Sequence, residues 1–228
     1  MSGHVMKMCL SPLKSISLSA RTAMALLAFA LVSPAQAEDQ QRYLIVSALK
    51  AETPGLERFA PIIYTGVGKV NAALGLYDAI IHYKPDLVIN YGTAGAVTDT
   101  RGLNKIGTFI ERDMDAREIG FQRGIAPFSG ELLPQAKGIV LGTGDSFVSD
   151  SAKALDGLSI RIDLVDMEGY ALWKVSQKLG VKFVSYKYTS DHADGEAPSD
   201  WETNVAKGAK AFAGLLEKEY GASSLLSE

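Results

Sequence analysis

The sequence predicts an α/β fold, with a mixed or parallel sheet carrying helices on its faces. Three observations predict it. From residue 42 onward, short apolar runs rich in β-formers alternate with stretches of helical period. Most of those runs have no polar face, as strands buried on both sides require. Glycine-rich or acidic turns sit just after several strands, at the edge where open α/β sheets bind ligands.

Taken in order, strand 43–48 leads into Ser47-Ala48-Leu49-Lys50-Ala51-Glu52, and strand 62–65 into Gly66-Val67-Gly68-Lys69 and a helix at 70–83. Strand 87–91 leads into Gly92-Thr93-Ala94-Gly95, and strands at 108–111 and 139–141 follow, the latter before Gly144-Asp145-Ser146-Phe147-Val148. Strand 163–166 precedes a helix at 167–179, whose apolar positions are Met167, Tyr170, Ala171, Val175 and Leu179, with Gly180 as its stop. Strand 183–188 leads into Thr189-Ser190-Asp191-His192-Ala193-Asp194, and a last helix is predicted at 201–220 before a small polar tail.

Residues 1–37 read as a secretory signal peptide. Lys7, Lys14 and Arg21 precede an uncharged apolar run at 23–32, and Ala35-Gln36-Ala37 is a small-x-small cleavage site. A run of about ten residues is half of the roughly 20 that span a bilayer, and Ser33-Pro34 would break a buried helix. Residues 38–228 are therefore expected to form one domain, periplasmic and free of the membrane after cleavage.

The single cysteine, Cys9, lies in the leader, so disulfides and thiol catalysis are excluded from the mature chain. Three of the 23 basic residues also lie there and no acid does, which leaves 20 basic against 26 acidic residues, a balance of −6. That balance argues against nucleic acid as a partner, because such binding rests on Lys and Arg neutralising phosphates. A metal site needs ligands converging from several segments. His4 is in the leader, His82 in a helix and His192 alone among acids, so no metal or other cofactor is expected.

Gly66-Val67-Gly68-Lys69 has neither the spacing of a P-loop nor the continuation of a dinucleotide fingerprint. In company it says more. Ser47 to Glu52, Thr65 to Ala73, Asn90 to Gly95, Gly144 to Val148, Asp166-Met167-Glu168-Gly169 and Thr189 to Asp194 stand in an order that resembles methylthioadenosine/S-adenosylhomocysteine nucleosidases of the purine nucleoside phosphorylase superfamily. The resemblance runs from Arg42 to about Tyr220. It implies a three-layer α/β/α sandwich with a phosphorylase/hydrolase-like mixed sheet, and hydrolysis of an adenine nucleoside to adenine and a ribose derivative.

Breaking an N-glycosidic bond leaves positive charge on the ribose and negative charge on the departing base, so the reaction needs an acid at the base and a nucleophile at the sugar. By the resemblance, Asp191 protonates purine N7, with Ser190 as its orienting partner. Read from the residues alone, a Ser-Asp pair equally caps a turn or helix. Glu52 is the candidate to activate water, the alternative being a helix-start glutamate stabilised by the dipole. Superfamily phosphorylases usually carry arginine just before the glycine-rich turn and in the loop after the first strand. Here those places hold Asn90 and Lys50-Ala51-Glu52-Thr53-Pro54, with Arg58 nearby, which favours water over phosphate.

Glu168 is implied to accept hydrogen bonds from the ribose 2′ and 3′ hydroxyls, with Met167 packing on the sugar. Its alternative is an acid in a helix first turn. Phe147 is expected to stack on the purine or else to be core, with the Val148 backbone reading the base edge and Thr93 and Gly95 lining the pocket. Trp173 and Trp201 read as helix packing and a helix start, Trp201 alternatively as part of a flap beside Asp191. Relatives are homodimers, and Ile119, in loop 113–121, is the residue implied to reach the neighbour's sugar tail. Family members carry a full helix where this chain has only residues 129–137. The alternatives to a hydrolase are a phosphate-dependent phosphorylase and a periplasmic nucleoside-binding protein without activity.

Overall fold

The computed structural model describes residues 42–59 and 62–221. The leader, its cleavage site and the tail from 222 onward lie outside the described residues. Among those described, seven strands run in chain order as β1 Tyr43–Ser47, β2 Ile62–Tyr64, β3 Leu87–Ala96, β4 Leu103–Glu111, β5 Ile139–Thr143, β6 Leu164–Asp166 and β7 Lys182–Asp191. The helices are α1 Lys69–Tyr83, α2 Ser151–Ala154, α3 Gly169–Leu179, α4 Ala197–Asn204 and α5 Ala209–Glu219.

β1 lies between β2 and β3, parallel to both. β3 is the hub. It runs parallel to β7 from Leu87 beside Lys182 to Gly95 beside Asp191, and its last two residues pair antiparallel with β6. β6 is parallel to β5, β5 to β4, and β4 turns back antiparallel onto β7. The mixed sheet therefore closes on itself around β3, β7, β4, β5 and β6, and closure leaves those strands no bare edge.

Alternation along the strands sorts the side chains into layers. Leu44, Val46 and Val88 pack with Leu76 and Ile80 of α1 and Leu172 of α3. Their neighbours Ile45, Ile89 and Tyr91 point the other way, onto Phe212 and Leu216 of α5. Tyr91 stacks on Phe212 with ring centroids 4.4 Å apart. Two helix layers thus cover the sheet, and the strands buried on both faces are the ones whose sequences carry no polar face.

Several boundaries differ from expectation. The Gly92-Thr93-Ala94-Gly95 segment is not a turn after β3 but its continuation, in register with β7 up to a shift between Ala94 and Gly95. Glycine inside a strand suggests a close approach, and both glycines have one. A Cβ at Gly92 would stand 3.0 Å from Lys187 Nζ, and one at Gly95 would stand 2.5 Å from Asp191 Oδ1. Asp191 likewise ends a strand, and its Oδ1 also accepts from Ala193 N two residues on, so its side chain closes the turn that follows.

The helix predicted from 167 begins at Gly169, whose N–H is bound by Asp166 Oδ2 at 2.7 Å. Met167 and Glu168 therefore precede the helix instead of forming its first turn. The single helix predicted at 201–220 is two, broken between Asn204 and Ala209. Asn204 Nδ2 donates to Ser190 O at 2.7 Å, and Gly208 passes so close to β3 and β7 that a Cβ would lie 2.4 Å from Tyr188 Cγ. Trp201 consequently sits inside α4 rather than at a helix start. Residues 129–137 contain no helix, as their length predicts.

Candidate active site

The ends of β1, β3, β6 and β7 converge on a cavity of about 200 Å³. The predicted residues Glu52, Thr93, Gly95, Phe147, Val148, Met167, Glu168, Ser190 and Asp191 all line it. Ile119 does not: it is 65 % exposed, in a short 3₁₀ turn outside the cavity of its own chain. Residues from five separated segments meet here because the closed ring brings the carboxyl ends of its strands to one place.

Glu52 is 5 % exposed and accepts four hydrogen bonds. Its Oε1 accepts from Thr93 N at 2.7 Å and Thr93 Oγ1 at 2.8 Å, and its Oε2 accepts from Ser47 Oγ at 2.8 Å and Leu49 N at 3.1 Å. The 3₁₀ turn Lys50–Glu52 folds the side chain back toward β1 and β3 instead of presenting it at an exposed helix start. Four donors to one buried carboxyl fix its orientation.

Asp191 is equally buried, at 5 %. Ala193 N donates to Oδ1 at 2.9 Å, and Ser190 Oγ lies 2.8 Å from Oδ2 and 3.4 Å from Ala94 O. Burial pushes the Asp191 carboxyl above its ordinary range and outweighs the two hydrogen bonds that favour its charge. When Asp191 holds its proton, Ser190 can accept from it while donating to Ala94 O. That arrangement suits a group that must carry a proton near neutral pH.

Glu168, 7 % exposed, accepts from Gly68 N at 2.9 Å through Oε1, which anchors it to the start of α1. Burial, reinforced by the nearby Asp166 charge, raises its pKa to about 7. Asp166 itself forms a buried ion pair with Lys187, Nζ to Oδ2 at 2.8 Å. Burial opposes the charge on Lys187, yet the carboxylates of Asp166, Glu168 and Glu52 overcome it and hold the ammonium above its usual value. One cation thus sits among three carboxylates. Lys187 carried only one signal in the sequence, a lysine in an otherwise buried strand, which demands a partner.

Arg112 was also missed. Arg112, 1 % exposed, lines the cavity and donates to Gly144 O at 3.1 Å and to the Ser146 carbonyl, so it braces the turn that carries Phe147. Asp145 Oδ1 caps α1 at Lys69 N, 2.7 Å away. Lys69 Nζ in turn bonds Glu111 and Asp113, both at 2.7 Å. Trp201 lines the cavity, as the flap alternative anticipated, and its Nε1 donates to Thr93 Oγ1 at 3.1 Å. Phe147 is 47 % exposed and lines the cavity instead of packing in the core.

The two other cations near Glu52 in sequence are directed elsewhere. Arg58 pairs with Glu217 at 3.7 Å and donates to Gly55 O, and Lys50 lies over the Tyr64 ring. Among the described residues no group of three or more His, Cys, Asp or Glu could hold a metal ion, and no helix is long and apolar enough to cross a membrane.

Comparison with known proteins identifies the family. A family model described as the phosphorylase superfamily matches residues 58–218. A 5′-methylthioadenosine/S-adenosylhomocysteine nucleosidase from Exiguobacterium sp. is 31% identical over 163 residues, covering 60% of this chain and 69% of the relative. The protein of the same name from Shewanella halifaxensis is 28% identical, covering 63% and 73%. Among solved structures, futalosine hydrolase of Helicobacter pylori superposes with a TM-score of 0.68 at 23% identity, covering 78% of this chain and 96% of that one. A Colwellia psychrerythraea nucleosidase in complex with adenine gives 0.68 at 21% identity, covering 78% and 93%. These last two are likenesses of fold.

Proposed function

The chain belongs to the phosphorylase superfamily, and on that premise we propose that it is an N-glycosyl hydrolase that cleaves adenine nucleosides of the 5′-methylthioadenosine or S-adenosylhomocysteine type. The observation that carries the reading is the meeting of Glu52, Glu168 and Asp191 around one cavity. In the proposed reaction Asp191 gives its proton to purine N7 as the bond from C1′ to the base breaks. Glu52 takes a proton from the water whose oxygen bonds to C1′. Glu168 accepts from the ribose hydroxyls, bonds that strengthen as the sugar becomes cationic. The products are adenine and the free ribose derivative.

Water is the better nucleophile here because the cations that a phosphate would need are committed. Lys187 is paired with Asp166, Arg112 braces the Phe147 turn, and Lys50 and Arg58 are turned away. Incubation with 5′-methylthioadenosine in phosphate-free buffer tests the reading. Adenine release supports it, whereas a strict need for phosphate with ribose 1-phosphate as product identifies a phosphorylase. Tight binding without turnover identifies a nucleoside-binding protein.

The same reading includes a homodimer. Val67, Val70, Leu74, Tyr77 and Ile81 are exposed and recur at three- and four-residue spacing, an apolar stripe along α1 that suits a helix-to-helix contact. The stripe starts at the cavity, which Val67 also lines, so a second copy would close its mouth. Ile119 is then the residue offered to the neighbour. Arg117 of that loop is held by Asp115 at 2.7 Å, leaving an apolar contact to Ile119. Light scattering of the wild-type protein and of Leu74→Glu checks the assembly. Export to the periplasm rests on the leader pattern, and N-terminal sequencing of the protein from a periplasmic extract, with Glu38 expected as the first residue, tests it.

A further inference from the structure

We propose that α4 is a positioning element that sets the base and acid arms of the site together through Trp201 and Asn204. This rests on the hydrolase reading above. The two residues are three apart in one helix and so share a face. Trp201 Nε1 donates to Thr93 Oγ1 at 3.1 Å, and that hydroxyl donates to Glu52 Oε1 at 2.8 Å. Asn204 Nδ2 donates to Ser190 O at 2.7 Å, one residue before Asp191 and on the residue whose hydroxyl meets Asp191 Oδ2 at 2.8 Å. One helix face thus reaches Glu52 through Thr93 and Asp191 through Ser190.

The chemistry of the hydroxyl gives the contact its direction. A threonine hydroxyl has one proton and can turn it toward any nearby acceptor. The indole N–H has only a proton to give, so it takes one of the oxygen's two lone pairs and turns the hydroxyl proton away from itself, toward Glu52. Trp201 therefore orients Glu52 without touching the water that Glu52 activates. The helix stays docked because Gly208, just after it, lets the chain run against Tyr91 and Tyr188, where a Cβ would stand 2.4 Å from either ring system.

The experiment compares wild type, Trp201→Phe, Thr93→Val and the double variant, with adenine release as the readout. Trp201→Phe keeps a ring at the cavity and removes the N–H. It is expected to lower kcat about five- to ten-fold, the worth of one neutral hydrogen bond, with KM changed less than two-fold. In the Thr93→Val background the same substitution is expected to add nothing, since the hydroxyl it acts through is gone. Multiplicative losses in the double variant, or an unchanged kcat in Trp201→Phe, overturn the proposal. Wild type that releases no adenine refutes the hydrolase reading instead. Should Trp201→Phe fail to fold, indole N–H NMR of Thr93→Val serves: the Trp201 resonance is expected to shift upfield while that of Trp173 stays, and no shift of the former overturns the proposal.

Discussion

Gly95 and Asp191 stand side by side on β3 and β7, so close that a single added carbon on Gly95 would lie 2.5 Å from Asp191 Oδ1. The glycine is what allows a buried carboxyl to project between the strands. Gly95→Ala is expected to push Asp191 aside. A displacement of about 1 Å at a reacting group costs on the order of 10²-fold in rate, and steady-state kinetics on 5′-methylthioadenosine measures it.

Asp191→Asn keeps the shape and removes the transferable proton. Its kcat on an adenine nucleoside is expected to fall by about 10² to 10⁴. A riboside whose leaving group departs as a stable anion, such as 4-nitrophenyl riboside, should be affected much less. Equal losses on both substrates would remove Asp191 from the role of acid.

Glu52→Gln retains most of the hydrogen-bonding outline but cannot take a proton from water. Turnover is expected to drop on the order of 10²-fold or more, while adenine, whose proposed partner is Asp191, is expected to bind as before. Calorimetric titration with adenine and a single-turnover assay separate the two effects.

Glu168 provides the pH dependence. Its carboxyl titrates near 7 in the folded protein against an ordinary 4.5, because burial and then the Asp166 charge favour the neutral form. Between those values the native state binds a proton that the unfolded chain has lost, so this group's contribution to stability falls as pH rises through that window. The ionised form accepts from both ribose hydroxyls and accepts more strongly, so kcat/KM is expected to fall below about pH 7. Glu168→Gln should flatten both the acid limb of the rate profile and the matching slope in urea denaturation.

Lys187→Met leaves Asp166 charged and buried without its cation, with Glu52 and Glu168 close by. Breaking a buried pair in this way costs about 3–5 kcal/mol, and chemical denaturation at neutral pH should show a loss of that size. A loss below about 1 kcal/mol would mean that the Asp166–Lys187 pair adds little to stability.

Local pattern was enough for much of the chain. The alternating strands, α1, α3 with its Gly180 stop, and the six ordered segments carry their signals within a few residues, because burial on two faces and helical period both act over short range. The same segments named Glu52, Glu168 and Asp191. Contacts between distant segments were out of its reach. Nothing local marks Gly92 to Gly95 as strand, since their reason for being glycine lies in Lys187 and Asp191, some 95 residues onward. Neither does anything local divide α4 from α5, or show that Lys187 balances three carboxylates and that Trp201 reaches Thr93. Those features exist only once the ring closes and sets the ends of β3, β6 and β7 side by side, for a buried charge or a close approach takes its meaning from what stands opposite.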